Sequence, residues 1–358
     1  VGGIGYMLRR LVAERAKTAR QGVLLAGELV ERFGYIDSGR TYIICDPDEG
    51  WLFCVVNGKH WLAQRVGDEK VAMVANTYTV RQVDLSDTNN FLASDDIVEY
   101  AVKRGWYDPK ENKPFDFAAV YANRKAASNP SNSGRQWAGL QYVAKKSIEP
   151  GVDLPFSVAP RGKVGVREIM EILRHDSEGK KAQTPSSKII VCDTACPICS
   201  GATQTSFVAQ LRGDKPLDIG IVYWMCLASP RTSFYIPFHF GISDFPAGFA
   251  AGSAQRPSEE LYNGVVEFPF RADAMRAFWT FSNFHNKVQA AGAGAIERTK
   301  SGARQIEENA FSMQNSLEQA ARKLYTRDKT AASQMLTNYS RGVYLSALEE
   351  ADQVLSRK

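Results

Sequence analysis

The stretch TYIICDPDEGWLFCVVNGKHWLAQRVGDEKVAMVANTYTV, residues 41–80, decides the fold. Runs rich in β-branched and aromatic residues are separated by three turn clusters, at residues 46–50, 57–58 and 67–70. That pattern predicts a four-stranded antiparallel meander. Asn57-Gly58 predicts a tight type I′ hairpin turn, which needs φ > 0 at both central positions. Residues 51–56, WLFCVV, are apolar at every position, so the sheet is expected to be covered on both faces. The run ends at Ala75-Asn76-Thr77. Two readings of Asn76 stay open there: a turn-capping amide, or a polar group at a strand end where a site is built.

Working outward, residues 7–33 carry apolar side chains at 8, 11, 12, 19, 23, 26, 30 and 33, one helical stripe, with Gly34 as the stop. One long helix is predicted. The opening Val1-Gly-Gly-Ile-Gly5 has no signal-peptide features, and a segment N-terminal to it is expected. After the meander, Ser94 is placed to cap a short helix over 94–103, stopped by Gly105. Residues 115–121 fit a helix or an extended segment equally. Residues 128–134, SNPSNSG, read as a polar loop closed by Arg135, which is either a solvated charge or a positioned cation. A second amphipathic helix is expected over 164–175, strands over 188–192, 206–212 and 219–226, and loop over 241–270. From 272 the pattern is helical, with interruptions near 327–330 and at Gly342. Helix, strands, helix, strands, helices is the order of an α+β layered sandwich.

The 358 residues suffice for one large domain or two ordinary ones. A net charge of +5 is spread thinly, with no Lys/Arg block of a nucleic-acid footprint. No run of eighteen apolar residues exists, so no transmembrane helix is expected. Six cysteines are too few for a disulfide scaffold, and a reducing, cytoplasmic setting is expected while secretion stays open. Cys192, Cys196 and Cys199 have the spacing of a radical-SAM cluster loop, but no fourth ligand lies nearby for zinc, and a structural role is the expectation. His60, His175, His239 and His285 are scattered without paired spacing, and GxSxG is absent, so a conventional triad has no support. No metal or cofactor is expected.

Six blocks then point to a family: GIGYMLRRLVAERAKTARQGV at 3–23, SGRTYIICDPDEGWLFCVVNGKHWLAQRV at 38–66, NSGRQW at 132–137, CPICSGATQTSFVAQLR at 196–212, YIPFHFGISDFPAGF at 235–249 and LTNYSRG at 336–342. In this order they resemble the PepD-like cysteine dipeptidases among the N-terminal nucleophile hydrolases, relatives of penicillin V acylase and bile-salt hydrolase. The resemblance covers nearly the whole chain. It implies a four-layer αββα sandwich formed as a single domain over 1–358, incomplete at its N-terminus, whose part from 272 to 358 is mainly helical. The implied substrate is a dipeptide or short peptide, with homo-oligomerisation left open.

The same resemblance implies a mechanism. An N-terminal Cys attacks the amide and its own α-amine, of ordinary pKa about 8, moves the proton. Asn76 matches the Asn that helps form the oxyanion hole, and Arg135 the Arg that favours the thiolate. Val1 is not a nucleophile, so the catalytic Cys is expected upstream of this sequence. Cys54 departs from the acidic residue expected at its place. A non-catalytic, secernin-like interaction protein is the alternative.

Overall fold

The computed structural model describes residues 3–151, 153–176, 197–249 and 275–356. They form a mixed α and β chain that divides into two compact units, Val1–Gly165 with Ser177–Ile198, and Val166–Asp176 with Cys199–Lys358.

In the first unit the predicted long helix is two: α1 (Gly5–Arg15) and α2 (Ala19–Phe33). The break has a local cause. Thr18 Oγ1 accepts from the Gln21 backbone N–H at 3.2 Å, and Gln21 Oε1 accepts in return from the Lys17 N–H, a close variant of a capping box. Asp46 fastens this helix start to the sheet. Its Oδ2 accepts from the Ala19 N–H at 2.6 Å, while Oδ1 accepts from the N–H groups of Asp48 and Glu49. Partial burial opposes ionisation of Asp46, but the three donors outweigh it and hold its pKa below the ordinary value.

The sheet runs β1 (Arg40–Cys45), β2 (Gly50–Val55), β3 (Trp61–Val66) and β5 (Phe91–Ala93), all antiparallel, with Thr41 opposite Cys54 and Cys54 opposite Leu62. Residues 51–56 are buried throughout. Alternation divides them: Trp51, Phe53 and Val55 pack with Val23, Ala26 and Val30 of α2, whereas Cys54 and Val56 pack with Ile97, Tyr78 and Phe117. Gly27 lets α2 come close, because a Cβ there would fall 2.2 Å from the Trp61 ring.

Two expectations for the meander are corrected. The fourth strand of the sheet is β5, and the predicted one shrinks to β4 (Val71–Ala72), which pairs elsewhere with β6 (Ser157–Val158). Nor is the 57–58 turn of type I′. Gly58 has φ +108° but Asn57 does not have positive φ, and the loop tip instead bridges to Tyr35. The remaining helices of this unit are α3 (Ile97–Lys103), α4 (Phe117–Tyr121), α5 (Arg124–Ala127) and α6 (Pro130–Val143). Ser94 does not cap α3 with its side chain: Ser94 Oγ accepts from the Trp61 N–H.

The second unit contains α7 (Val166–Leu173), α8 (Leu217–Gly220) and the antiparallel sheet β7 (Thr205–Gln210), β8 (Val222–Leu227) and β9 (Ile236–His239). Three long helices follow, α9 (Ala277–Ala291), α10 (Ala293–Tyr325) and α11 (Lys329–Ser356). The interruption near 327–330 is present, whereas α11 continues straight through Gly342. The expected strand at 188–192 lies outside the described residues. His239 is the last residue of β9.

Two buried carboxylates on α10, about three helical turns apart, organise this unit. Glu307 accepts from Nη1 and Nη2 of Arg174 and from the Tyr235 N–H. Glu318 accepts from Arg212, from Lys215 at 2.6 Å, from Gln314 and from His239 Nε2. Burial opposes the Glu318 charge, yet His239, Arg212 and Lys215 together hold its carboxyl well below the ordinary range. No helix among the described residues is long and apolar enough to cross a membrane.

Two outcomes are expected. Asp46→Ala should lower unfolding free energy by about 1–2 kcal/mol in urea titrations, and an unchanged midpoint would mean that the cap is idle. Glu318→Gln should cost about 3–5 kcal/mol at pH 7 by stranding Arg212 and Lys215. Because the folded pKa of Glu318 is depressed, its contribution is full above the unfolded value of about 4.3 and drains away as pH falls below it. Urea midpoints measured from pH 7 to 3 should therefore fall less steeply for Glu318→Gln than for the parent, and parallel curves would contradict this.

Candidate functional site

The departure of the chain from the sheet builds the site. After β4 the segment 73–78 runs beneath α6, which approaches it through Gly139: a Cβ there would meet Met73 at 3.0 Å. α6 begins where a polar loop was expected. Asn129 caps it by accepting from the Ser131 N–H, Pro130 occupies its first turn, and Asn132 and Gly134 are buried.

Asn132 and Arg135 sit one turn apart on α6, on one face. Arg135 Nη2 donates to Asn76 Oδ1 at 2.7 Å and to Asn132 Oδ1 at 2.7 Å, and its Nε donates to Ser131 O. Asn132 Nδ2 donates to Asn76 O at 3.2 Å and to Ala126 O at 2.8 Å. The structure thus brings together the two residues singled out from the sequence, 59 positions apart. Since a guanidinium only donates, it forces both amide oxygens towards itself. Asn76 Nδ2 is left as a donor without a partner among the described residues, on an exposed side chain. Burial alone lowers the Arg135 pKa, and no carboxylate pairs with it among the described residues.

Asn76 lines a cleft of about 430 Å³ walled by residues 37–41 and 74–78 and by Ala122, Asn123 and Ala126. Gly39, with φ +111°, admits no side chain here, because a Cβ would lie 1.9 Å from Tyr78 Oη. That hydroxyl donates to Val55 O at 2.6 Å, tying the cleft wall to β2.

None of the other candidates is among the residues that line this cleft. Burial pushes the thiol pKa up in Cys45, to about 12 in Cys54, to about 11 in Cys199 and to about 12 in Cys226. None of these four has the character of an activated nucleophile. Cys199 Sγ donates to Arg174 O, while Cys192 and Cys196 lie outside the described residues. Among the described residues no group of His, Cys, Asp or Glu is arranged to hold a metal ion. His60 pairs with Asp96, His239 with Glu318 and His285 with Thr232, none of them on the cleft wall.

Asn132 escaped the sequence reading, although the Asn129-Pro130 start and the three-residue step to Arg135 carried the signal of a helix face. Asn132→Ala should destabilise the protein by about 1–3 kcal/mol by removing the side-chain donor to Asn76 O and the acceptor for Arg135 Nη2. In NMR spectra it should also broaden the Arg135 Nε resonance, and a spectrum unchanged at Arg135 would show that the hub does not hold the guanidinium.

The model of peptidase family C69 matches residues 2–290. A protein of Salmonella dublin described as "Probable dipeptidase" is 29% identical over 245 residues, 67% of this chain and 56% of that relative. "Probable dipeptidase B" of Streptococcus pyogenes serotype M1 is 25% identical over 293 residues, 78% of this chain and 55% of the relative. "Probable dipeptidase" of Latilactobacillus sakei is 25% identical over 272 residues, 75% and 54%. The chain spans about half the length of the curated relatives it matches. With its family model covering most of its length, the chain belongs to peptidase family C69.

Proposed function

We propose that the protein is a dipeptidase and that the cleft beside Asn76 and Arg135 is its active site. The observation that carries this reading is the Arg135–Asn76 hydrogen bond, which turns an amide N–H₂ outward next to a cation that no carboxylate among the described residues neutralises. Membership of a peptidase family and relatives named as dipeptidases support the reaction class. A cleft of about 430 Å³ suits a substrate of dipeptide size.

The proposed nucleophile is a cysteine that precedes residue 1 in the full protein, and the raised pKa values of the four described thiols speak against each of them in that role. Its α-amine takes the thiol proton and the thiolate attacks the scissile carbonyl carbon. Asn76 Nδ2 donates to the oxyanion that forms, and the Arg135 charge favours the thiolate. The amine then hands its proton to the departing amino group, and water hydrolyses the thioester. The four-layer αββα arrangement implied by the resemblance is part of the same proposal.

The test is turnover of Ala-Ala by the full protein. Asn76→Ala should lower kcat by about 10²-fold or more, as loss of one oxyanion donor does, with thermal stability retained. Arg135→Gln should raise the pH at which a thiol-directed alkylating agent inactivates the enzyme. Turnover by Asn76→Ala at the parent rate would sink the assignment.

A further inference from the structure

Around Asn76 the cleft is lined by small apolar side chains. Val74, Ala75, Ala122 and Ala126 contribute to it nothing larger than an isopropyl group, and all four are half-buried. Asn123 stands among them, but its Oδ1 is spent accepting from the Ala126 N–H at 3.1 Å, at the start of α5. The Tyr78 hydroxyl is likewise committed to Val55 O, and Gly39 adds no side chain. Charged residues enter the lining only between 37 and 41. A hydrocarbon wall whose polar neighbours are already engaged favours burial of apolar surface, and a wall of small groups leaves room for a large one.

Ala126 is tied to Asn76 by a shared donor. Its N–H is held by Asn123, and its C=O accepts from Asn132 Nδ2 at 2.8 Å. The same Nδ2 donates to Asn76 O at 3.2 Å. Two carbonyl oxygens that share one donor lie at most about 6 Å apart, twice the length of a hydrogen bond. Asn132 therefore fixes the backbone that carries the Ala126 methyl relative to the residue proposed as oxyanion donor, and both residues line the cleft. In a peptide the Cα of the acyl residue is bonded to the carbon under attack, whereas the Cα of the leaving residue is two bonds away. The acyl side chain is thus the one that a wall beside Asn76 meets.

We propose that Ala126, with Ala122 and Val74, walls a subsite for the acyl side chain, and that the substrates are dipeptides with a bulky apolar residue at that position. The inference rests on the dipeptidase reading for the bond that is cut but not for the apolar contact. The experiment separates the two. Turnover of Phe-Ala, Ala-Phe and Ala-Ala by the full protein reads the subsite during reaction. Calorimetric titration with their reduced-bond analogues, in which CH2–NH replaces the amide, reads it without any turnover. In the parent, kcat/KM for Phe-Ala should exceed that for Ala-Ala by about tenfold or more, the discrimination that an apolar pocket supplies. Ala-Phe should show no such gain. Ala126→Leu fills the subsite and should cut the ratio of Phe-Ala to Ala-Ala by about tenfold or more, in turnover and in analogue binding alike. Thermal unfolding checks that the variant is folded, and Ala126→Val, a smaller insertion, carries the same test if it is not. A parent that treats Phe-Ala and Ala-Phe alike, or a Phe-Ala preference that survives in a folded Ala126 variant, overturns the subsite even in an active dipeptidase. A parent that hydrolyses none of the three but shows Ala126-dependent preference for the Phe-Ala analogue overturns the dipeptidase reading and supports the subsite.

Discussion

A strand with no side chain left for water imposes most of the first unit. Every residue from 51 to 56 is buried, so each face of β2 needs a cover of its own. Helix α2 supplies one, brought close by Gly27 and aligned at its start by Asp46. The other face requires chain from beyond the sheet: Tyr78, Ile97 and Phe117 fill it. The polypeptide therefore leaves after β3, crosses that face and returns as β5. Asn76 sits on this excursion, and its position follows from the need to cover Cys54 and Val56.

The site uses a directional constraint of another kind. Amide side chains can present either end, but a guanidinium accepts nothing, so Arg135 selects one orientation for both Asn76 and Asn132. Asn132 closes the arrangement by holding the Asn76 backbone, with its own side chain buried and all of its groups engaged. Rigid donors aimed before the substrate arrives are what the proposed chemistry needs, since no reorganisation is then required as charge develops.

The second unit depends on charge in its interior. Glu307 and Glu318 project from one side of α10 into surroundings where an unpaired carboxylate would be expensive, and each is met by several donors. The Glu318 group draws in partners from the loop after β7, from β9 and from α10 itself, so it ties sheet to helix where apolar contact alone would leave register loose.

Local chemistry was enough for much of this. Alternation and turn clusters located β1, β2 and β3, and the continuous apolar run over 51–56 announced a doubly covered strand. The Thr18-x-x-Gln21 and Asn129-Pro130 signals were equally present in the sequence. They were outweighed by a hydrophobic stripe in one case and by polar composition in the other. The family resemblance singled out Asn76 and Arg135. Their hydrogen bond could not be read locally, because it joins residues 59 positions apart through a helix that had looked like a loop. Which strand completes the sheet was decided in three dimensions too: β5 borders β3 because chain had first to cross the sheet face, whereas β4 turns away to pair with β6. Sequence alone determined which segments could pair and which side chains must be buried, since those preferences act over a few residues. Only the tertiary structure decided which polar groups meet, because a hydrogen bond is set by distance in space and not along the chain.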